Sequence, residues 1–296
     1  LFNWLFTMYR GRIRFELPMM WTLAFMLTFV IGGMTGVLLA VPPADFVLHN
    51  SLFLVAHFHN VIIGGVLFGI FAAINYWWPK AFGFRLDLFW GKVSFWFWVV
   101  GFWVAFAPLY ILGLMGVTRR MRVFDDPSLQ IWFVIAGIGA ALIAIGIAAM
   151  FIQFGVSIAR RDQLRDETGD PWNGRTLEWA TSSPPPAYNF AFTPVSHGLD
   201  TWWDMKRYGQ TRPRATYVPI HMPRNTGAGV IIAAFATVCG FALVWYIWWL
   251  AALSFAGVVI ASILHTFNYA RDYHIPAEEV RATEDARDRQ LASMGI

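Results

Sequence analysis

Residues 41–60 read VPPADFVLHNSLFLVAHFHN, and the interpretation of the whole chain starts from them. Four ionisable side chains lie here, at the start of a long apolar segment: Asp45, His49, His57 and His59. The apolar segment runs from residue 51 to about residue 78 without any Asp, Glu, Lys or Arg. It is long enough to cross a membrane, where an ionisable group requires a partner. We therefore expect the two imidazoles of the HFH motif to meet a ligand or a neighbouring helix.

The spacing of the two histidines argues against a single shared metal ion. His57 and His59 are two positions apart, so on an α-helix their side chains point roughly 200° apart. A zinc ion favours ligands three or four positions apart, on one helix face. The observed spacing suits two separate acceptors on opposite faces, and two haem irons would satisfy it. The alternative is that each imidazole only donates a hydrogen bond to a helix carbonyl.

Composition places the chain among polytopic membrane proteins. Of the 296 residues, 57% are hydrophobic and only 14% are charged, with 16 Trp and 27 Phe. The net charge is +4, but the basic residues lie between apolar segments and form no continuous face, so we expect no nucleic-acid partner. The single cysteine, Cys239, excludes a disulfide or a cysteine metal site within the chain.

The apolar segments predict an all-α polytopic membrane protein with about six transmembrane helices, an N-terminal half-helix and a polar cytoplasmic loop. The half-helix is residues 1–9, and the six spans are approximately residues 19–40, 51–78, 93–115, 128–158, 228–248 and 249–267. No Asp, Glu or Lys lies inside a predicted span, so we expect no proton relay of the chain's own. Because the sequence starts within an apolar helix and without Met, we expect it to be the C-terminal part of a larger protein.

These segments divide the chain into four regions. Residues 1–158 hold the half-helix and four spans, and residues 159–227 form a polar, proline-rich cytoplasmic loop. Residues 228–267 form a C-terminal transmembrane hairpin, and residues 268–296 form a charged cytoplasmic tail. Three consecutive prolines at residues 184–186 exclude helix there and predict an extended arm.

The distribution of Lys and Arg assigns the orientation of the spans. The loops at residues 10–14 and 80–92, the nine Lys or Arg between residues 160 and 224, and the tail all fall on one side, which we predict to be cytoplasmic. The opposite loops at residues 41–50 and near residue 248 carry no Lys or Arg. One opposite loop breaks the rule with three arginines: Arg119, Arg120 and Arg122.

Arginines placed against the topological bias suggest a local anion on the same side as Asp45 and His49. Guanidinium groups bind carboxylates in a bidentate manner, and each haem carries two propionates. The arrangement fits propionates directed outward, with irons deeper at the HFH motif. The alternative is that the arginines pair with Asp125, Asp126 or lipid phosphate.

Three stretches of the sequence resemble a known family: HNSLFLVAHFHNVIIGGVLFGIFAAINYWWPKAFG, MGVTRR and TGDPWNGRTLEWATSSPPPAYNF. They resemble subunit I of the haem-copper respiratory oxidases, and most closely the bo-type quinol oxidases, over essentially the whole chain. The resemblance implies a proton-pumping oxidoreductase of the bacterial inner membrane that reduces oxygen to water with electrons from ubiquinol. It also implies three cofactors: low-spin haem b, high-spin haem o or a, and a copper ion whose ligands lie outside this chain.

The resemblance further implies roles for individual residues. His57 would be the axial ligand of the high-spin haem, and His59 an axial ligand of the low-spin haem. Asp45 and His49 would hydrogen-bond near the propionates of the high-spin haem. Arg119 and Arg120 would pair with propionates of both haems. No catalytic residue is expected within this chain.

The implied partners are the N-terminal part of subunit I, oxidase subunits II, III and IV, ubiquinol, oxygen and membrane lipid. Because the copper ligands and one haem ligand are absent, we expect the chain alone to be inactive. Asn50 stands where cytochrome c oxidases of this family generally have a magnesium-binding Asp. An amide is a weaker ligand than a carboxylate for that hard cation. The residue at this position therefore favours the quinol oxidase branch. The alternatives are a cytochrome c oxidase subunit I and, from another class, a cofactor-free membrane transporter or scaffold.

Overall fold

The computed structural model describes residues 1–209, 216–293 and 295. Arg212 and Arg214, which belong to the basic residues of the predicted polar loop, lie outside the described residues. The chain divides into two units, Leu1–Pro185 and Pro186–Ile296, and each is described by itself.

The first unit is built from helices that follow one another along the chain. Their order is α1 (Phe2–Met8), α2 (Leu17–Leu39), α3 (Pro42–Leu48), α4 (Leu52–His59), a π-helix (Asn60–Leu67), α5 (Phe68–Phe82), α6 (Leu88–Leu114) and α7 (Pro127–Ala159). The elements from α4 to α5 form one continuous helical segment, Leu52–Phe82. The sequence did not predict the π-helix inside this segment; such helices occur frequently at functional sites.

The second unit contains a helical hairpin, a short ribbon and the tail. Its elements are α8 (Thr201–Tyr208), β1 (Ile220–Pro223), α9 (Ala228–Val244), α10 (Trp248–Thr266), β2 (Asp272–Ile275) and α11 (Ala277–Ser293). The two strands pair antiparallel, with Ile220 opposite Ile275. The charged tail forms α11, in which Val280 and Leu291 are buried.

The all-α polytopic prediction is confirmed by helix length and composition. Within the described residues, five helical segments are long and apolar enough to cross a membrane: Leu17–Leu39, Leu52–Phe82, Leu88–Leu114, Pro127–Ala159 and Trp248–Thr266. The sixth predicted span corresponds to α9, an apolar helix of 17 residues. It is shorter than predicted because residues 245–247 form the turn between α9 and α10.

Two features at the helix ends differ from the prediction. Residues 41–50, predicted as a loop, contain the short helix α3, because Pro42 and Pro43 occupy its first two positions, where a missing N–H is tolerated. The helices also extend beyond the predicted spans, so that Lys80 lies in the last turn of α5 and Lys92 near the start of α6. The predicted spans therefore contain no lysine, whereas the helices do.

Aromatic side chains form the core of the first unit. Trp21 of α2 is 2% exposed, and its ring lies 5.3 Å from Phe68, 4.9 Å from Phe71 and 5.0 Å from Phe95, measured between centroids. Such tilted and edge-on pairs add about 0.5–1.5 kcal/mol each beyond burial. This core holds α2, α5 and α6 together and thereby fixes the helices that carry the candidate site.

Candidate cofactor-binding site

Both histidines of the HFH motif lie in the last turn of α4. Ser51 caps the start of this helix, because its hydroxyl oxygen accepts a hydrogen bond from the N–H of Phe53 at 3.2 Å. After His59 the backbone continues into the π-helix at Asn60. The motif is therefore held between a capped helix start and a change of helix type.

The ring of His57 packs against α2. Its Nδ1 lies 3.1 Å from the carbonyl oxygen of Gly32, which can only accept, so Nδ1 carries a proton; in the neutral ring this leaves the lone pair on Nε2. A Cβ at Gly36 would lie 2.9 Å from Cε1 of this ring. Glycine at that position therefore makes the room that the imidazole occupies.

The ring of His59 packs against α6 instead. Its Nδ1 lies 2.7 Å from the carbonyl oxygen of Val55, so here too Nδ1 donates, and in the neutral ring the lone pair is on Nε2. The ring stacks on Phe106 at 4.4 Å and 21°, and Phe58 covers it at 4.4 Å. The two imidazoles thus face different helices, which matches the separation that their spacing predicts.

The Nδ1 contacts agree with both hypotheses from the sequence, because a haem ligand and a purely structural histidine can each donate to a carbonyl. The hypotheses differ at Nε2. Within the described residues, neither His57 nor His59 has a hydrogen-bond partner at Nε2. A neutral ring with Nδ1 bonded to a carbonyl and Nε2 left to coordinate is the usual arrangement of a metal-bound histidine. The donor set therefore fits one axial ligand for each of two haems.

Asp45 and His49 form a pair at the outer end of the site. Asp45 lies in the first turn of α3, and its Oδ1 is 3.2 Å from Nδ1 of His49 at the end of the same helix. Both side chains are open to solvent, with exposed fractions of 39% for Asp45 and 61% for His49. The pair can therefore accept or donate further hydrogen bonds.

Arg119 is brought beside Asn50, the residue after His49, by backbone contacts. Its N–H donates to the carbonyl of Asn50 at 2.9 Å, and Leu52 donates to Val117 in the same way. The Arg119 guanidinium donates from Nε and Nη2 to Oδ1 of Asn50 at 3.3 Å and 3.1 Å. The structure therefore brings the predicted arginine loop next to the loop that follows α3.

Arg120 is exposed and has a left-handed backbone, with φ of 68°. One alternative from the sequence is that these arginines pair with Asp125 or Asp126. In the part of the chain that the structure describes, neither acid forms an ion pair. Asp126 instead caps α7 by accepting from the N–H of Ser128 at 2.9 Å. Hydrogen bonds from Ser128 lower the pKa of the Asp126 carboxyl.

Sequence reasoning missed Thr35, which contacts His57, Tyr110, which contacts Thr35, and one buried cation. Thr35 Oγ1 lies 3.1 Å from Nδ1 of His57 and 3.3 Å from the hydroxyl of Tyr110. Lys80 is only 8% exposed, and its ammonium donates to carbonyls of the loop after α7. Only the folded chain shows these contacts, because the partners are far apart in sequence.

Two further observations separate the site from other parts of the molecule. A cavity of ≈ 470 Å³ along α2 and α5 is lined mostly by apolar side chains, together with Arg14 and Glu16, and none of the predicted site residues lines it. Among the described residues, no group of three or more His, Cys, Asp or Glu is placed to hold a metal ion.

The comparisons with known proteins agree on one family. The model of the family "Cytochrome C and Quinol oxidase polypeptide I" matches residues 1–142. A probable cytochrome c oxidase subunit 1 from Bradyrhizobium diazoefficiens is 55% identical over 284 residues, which cover 95% of this chain and 43% of the relative. Ubiquinol oxidase subunit 1 from Acetobacter aceti is 56% identical over 296 residues, which cover 98% of this chain and 45% of the relative.

A third relative, cytochrome bo(3) ubiquinol oxidase subunit 1 from Buchnera aphidicola, is 53% identical. The match covers 100% of this chain and 45% of the relative. The chain thus spans less than half the length of these curated relatives, 43–45%. A solved haem-copper terminal oxidase dimer is 24% identical with a TM-score of 0.43 over 48% of this chain and 26% of that chain, a likeness too weak to add to the assignment. Matches to the curated relatives over 95–100% of the chain, together with its apolar helices, confirm the resemblance. The chain is therefore similar over almost its whole length to subunit I of the cytochrome c and quinol oxidases, and it is a multi-pass protein of the bacterial inner membrane.

Proposed function

We propose that this chain forms part of the catalytic subunit of a haem-copper terminal oxidase and supplies one axial imidazole to each of two haems. His57 serves the high-spin haem and His59 the low-spin haem. The observation that carries the proposal is that both rings are bonded in the same way. Each ring donates Nδ1–H to a carbonyl, so the two Nε2 atoms are left as ligands on opposite sides of one helix. The match of residues 1–142 to the family model and the similarity to ubiquinol oxidase subunit 1 from Acetobacter aceti support the same assignment.

The cofactors of this proposal are low-spin haem b, high-spin haem o or a, and a copper ion held by residues outside this chain. When bound, the haems supply electron transfer and, together with copper, the oxygen chemistry. The residues of this chain orient the ligands. The carbonyls of Gly32 and Val55 hold the proton on Nδ1 of their respective rings, and Phe106 stacks on His59 and excludes water from one face. A ring held in this way needs no reorganisation before it coordinates.

Four residues at the outer end are proposed to bind haem propionates: Asp45, His49, Arg119 and Arg120. Arg120 has an exposed guanidinium, and Arg119 uses only Nε and Nη2 toward Asn50, so both retain donors for a carboxylate. The exposed Asp45–His49 pair is placed to hydrogen-bond near the propionates of the high-spin haem.

The electron donor in this proposal is ubiquinol. Asn50 occupies the position at which the resemblance places a magnesium-binding Asp in cytochrome c oxidases, and its amide oxygen already accepts two hydrogen bonds from Arg119. An engaged amide oxygen is a poor ligand for a hard dication. Curated relatives carry both names, cytochrome c oxidase and ubiquinol oxidase, so cytochrome c is the competing donor.

The complete complex is proposed to reduce oxygen to water and to pump protons outward. In this proposal the chain works with the remaining part of subunit I, with subunits II, III and IV, and with membrane lipid. The chain alone is expected to be inactive, because the copper ligands and one haem ligand lie outside it. Oxygen uptake by the isolated chain with ubiquinol would contradict this expectation.

The experiment that tests the haem assignment is a reduced-minus-oxidised optical spectrum of the purified complete complex, with carbon monoxide added to the reduced forms. We expect His57→Ala to abolish the carbon monoxide signal and His59→Ala to perturb the low-spin band. His265→Ala, at the end of α10, is the control and should match the wild type. If neither His57→Ala nor His59→Ala changes a haem signal, the HFH motif is only packing, and a cofactor-free transporter or scaffold becomes the better hypothesis.

A further inference from the structure

The Nδ1 of His57 faces two acceptors at the same distance. The carbonyl oxygen of Gly32 and the hydroxyl oxygen of Thr35 each lie 3.1 Å from it. The Thr35 hydroxyl also lies 2.9 Å from the carbonyl of Gly32 and 3.3 Å from the hydroxyl of Tyr110. Four groups on α2, α4 and α6 therefore share one small hydrogen-bond network.

The protons of this network can be assigned from what each group can do. The carbonyl of Gly32 only accepts, so the Thr35 hydroxyl donates its single proton there. The Thr35 oxygen then accepts from Tyr110 and from Nδ1–H of His57. Each proton is used once, and His57 shares its N–H between the carbonyl and the hydroxyl.

Tyr110 is held in place for this contact. Its ring meets the ring of Phe53 on α4 at 4.9 Å and 73°, and Phe53 is 4% exposed. An edge-on aromatic pair of this kind restricts the orientation of both rings. The Tyr110 hydroxyl is therefore directed at Thr35 by packing.

We propose that Thr35 and Tyr110 are positioning residues that set the strength of the hydrogen bond at Nδ1 of His57, and through it the donor strength of Nε2 toward the high-spin haem iron. This inference rests on the proposed function. A stronger acceptor at Nδ1 makes an imidazole more basic at Nε2. Tyr110 donates to the same oxygen that accepts from His57, so it weakens that acceptor and opposes the effect of Thr35.

Resonance Raman spectroscopy of the iron–histidine stretch tests the inference in the complete reduced complex after photolysis of carbon monoxide. Thr35→Val removes the hydroxyl but keeps the branched shape, and we expect the stretching frequency to fall and the high-spin haem potential to rise. Tyr110→Phe leaves Thr35 a stronger acceptor for His57, and we expect the opposite shifts. Thr35→Ser keeps the hydroxyl and should restore the wild-type frequency.

The outcomes separate this inference from the proposed function. If the band disappears in His57→Ala but stays unshifted in both Thr35→Val and Tyr110→Phe, the assignment of His57 stands and the positioning role is wrong. If Thr35→Ser shifts the band as far as Thr35→Val, the effect comes from packing and not from the hydroxyl, which also overturns the inference. If the band survives in His57→Ala, both the proposed function and this inference fail.

Discussion

The helical segment Leu52–Phe82 carries a polar group near each end, and the two groups differ in how far the described residues satisfy their hydrogen-bonding atoms. Near one end, Lys80 is buried, and its ammonium donates to the carbonyls of Gly169 at 2.8 Å, Thr181 at 2.9 Å and Ser182 at 3.1 Å. Near the other, His57 uses Nδ1 within the chain and keeps Nε2 without a partner among the described residues.

The difference separates polar groups that the chain itself satisfies from polar groups that we propose bind a ligand. Three carbonyls match the three N–H donors of an ammonium, so the chain itself satisfies Lys80. This contact attaches the loop after α7 to the end of α5, and both lie within the first unit, Leu1–Pro185. Among the described residues, Nε2 of His57 and the Arg120 guanidinium have no hydrogen-bond partner, as the proposed ligand site requires.

The largest effect is expected at Lys80. Lys80→Met should lower the stability by about 3 kcal/mol or more, because it leaves two buried carbonyls and one partly buried carbonyl without this donor, at about 1–3 kcal/mol each. Thermal unfolding of the detergent-solubilised complex and limited proteolysis of residues 160–185 would measure it. Lys92→Met is the control, because Lys92 is exposed near the start of α6, and it should change stability by only about 0.5 kcal/mol. Equal stability of the two variants would show that Lys80 does not hold this loop.

The next effect is expected beside His57. Gly36→Ala places a methyl group 2.9 Å from Cε1 of the imidazole and should displace the ring, whereas a Cβ at Gly33 meets nothing within 4 Å. We therefore expect Gly36→Ala to reduce the carbon monoxide difference spectrum of the complete complex, and Gly33→Ala to leave it unchanged. An unchanged spectrum in Gly36→Ala would mean that the ring position is not critical for haem binding.

A smaller effect is expected at the arginines. Arg119→Ala or Arg120→Ala should change the stability by less than about 1 kcal/mol, because neither side chain is buried. Each should lower a haem midpoint potential in a redox titration, since a nearby positive charge favours the reduced haem. Arg122→Ala, for which no propionate role is proposed, is the matched control. Potentials that shift equally in all three variants would indicate a general surface charge effect.

The smallest effect concerns the cap of α7. Hydrogen bonds from Ser128 lower the pKa of Asp126, so the charged form is favoured in the folded protein. Its contribution to stability is complete above the unfolded pKa, about 3.9, and is lost as the pH falls through the lower folded pKa. Hydrogen exchange at the first turn of α7 should therefore lose protection in acid, and Asp126→Ala should abolish this pH dependence. Persistence of the same acid response in Asp126→Ala would assign it to another group.

Much of the candidate site could be predicted from the sequence, because it depends on local spacing. The opposite directions of His57 and His59 follow from the helical repeat, and the runs of apolar residues predict the spans. The contacts of Lys80 could not be predicted, because its partners lie 89 to 102 positions away. The link between Thr35 and Tyr110 spans 75 positions, and no local pattern indicates it.

The sequence by itself determined the class of protein, the approximate spans and the residues that could act as ligands, because hydrophobicity and helical periodicity act over short distances along the chain. Only the tertiary structure decided which side chains are satisfied by the chain and which are left for a ligand. Hydrogen bonds depend on distances of about 3 Å, and those distances are set by the packing of α2, α4, α6 and the loop after α7. Thus the sequence identifies His57 as a candidate, and the fold supplies Gly32, Thr35 and Tyr110 around it.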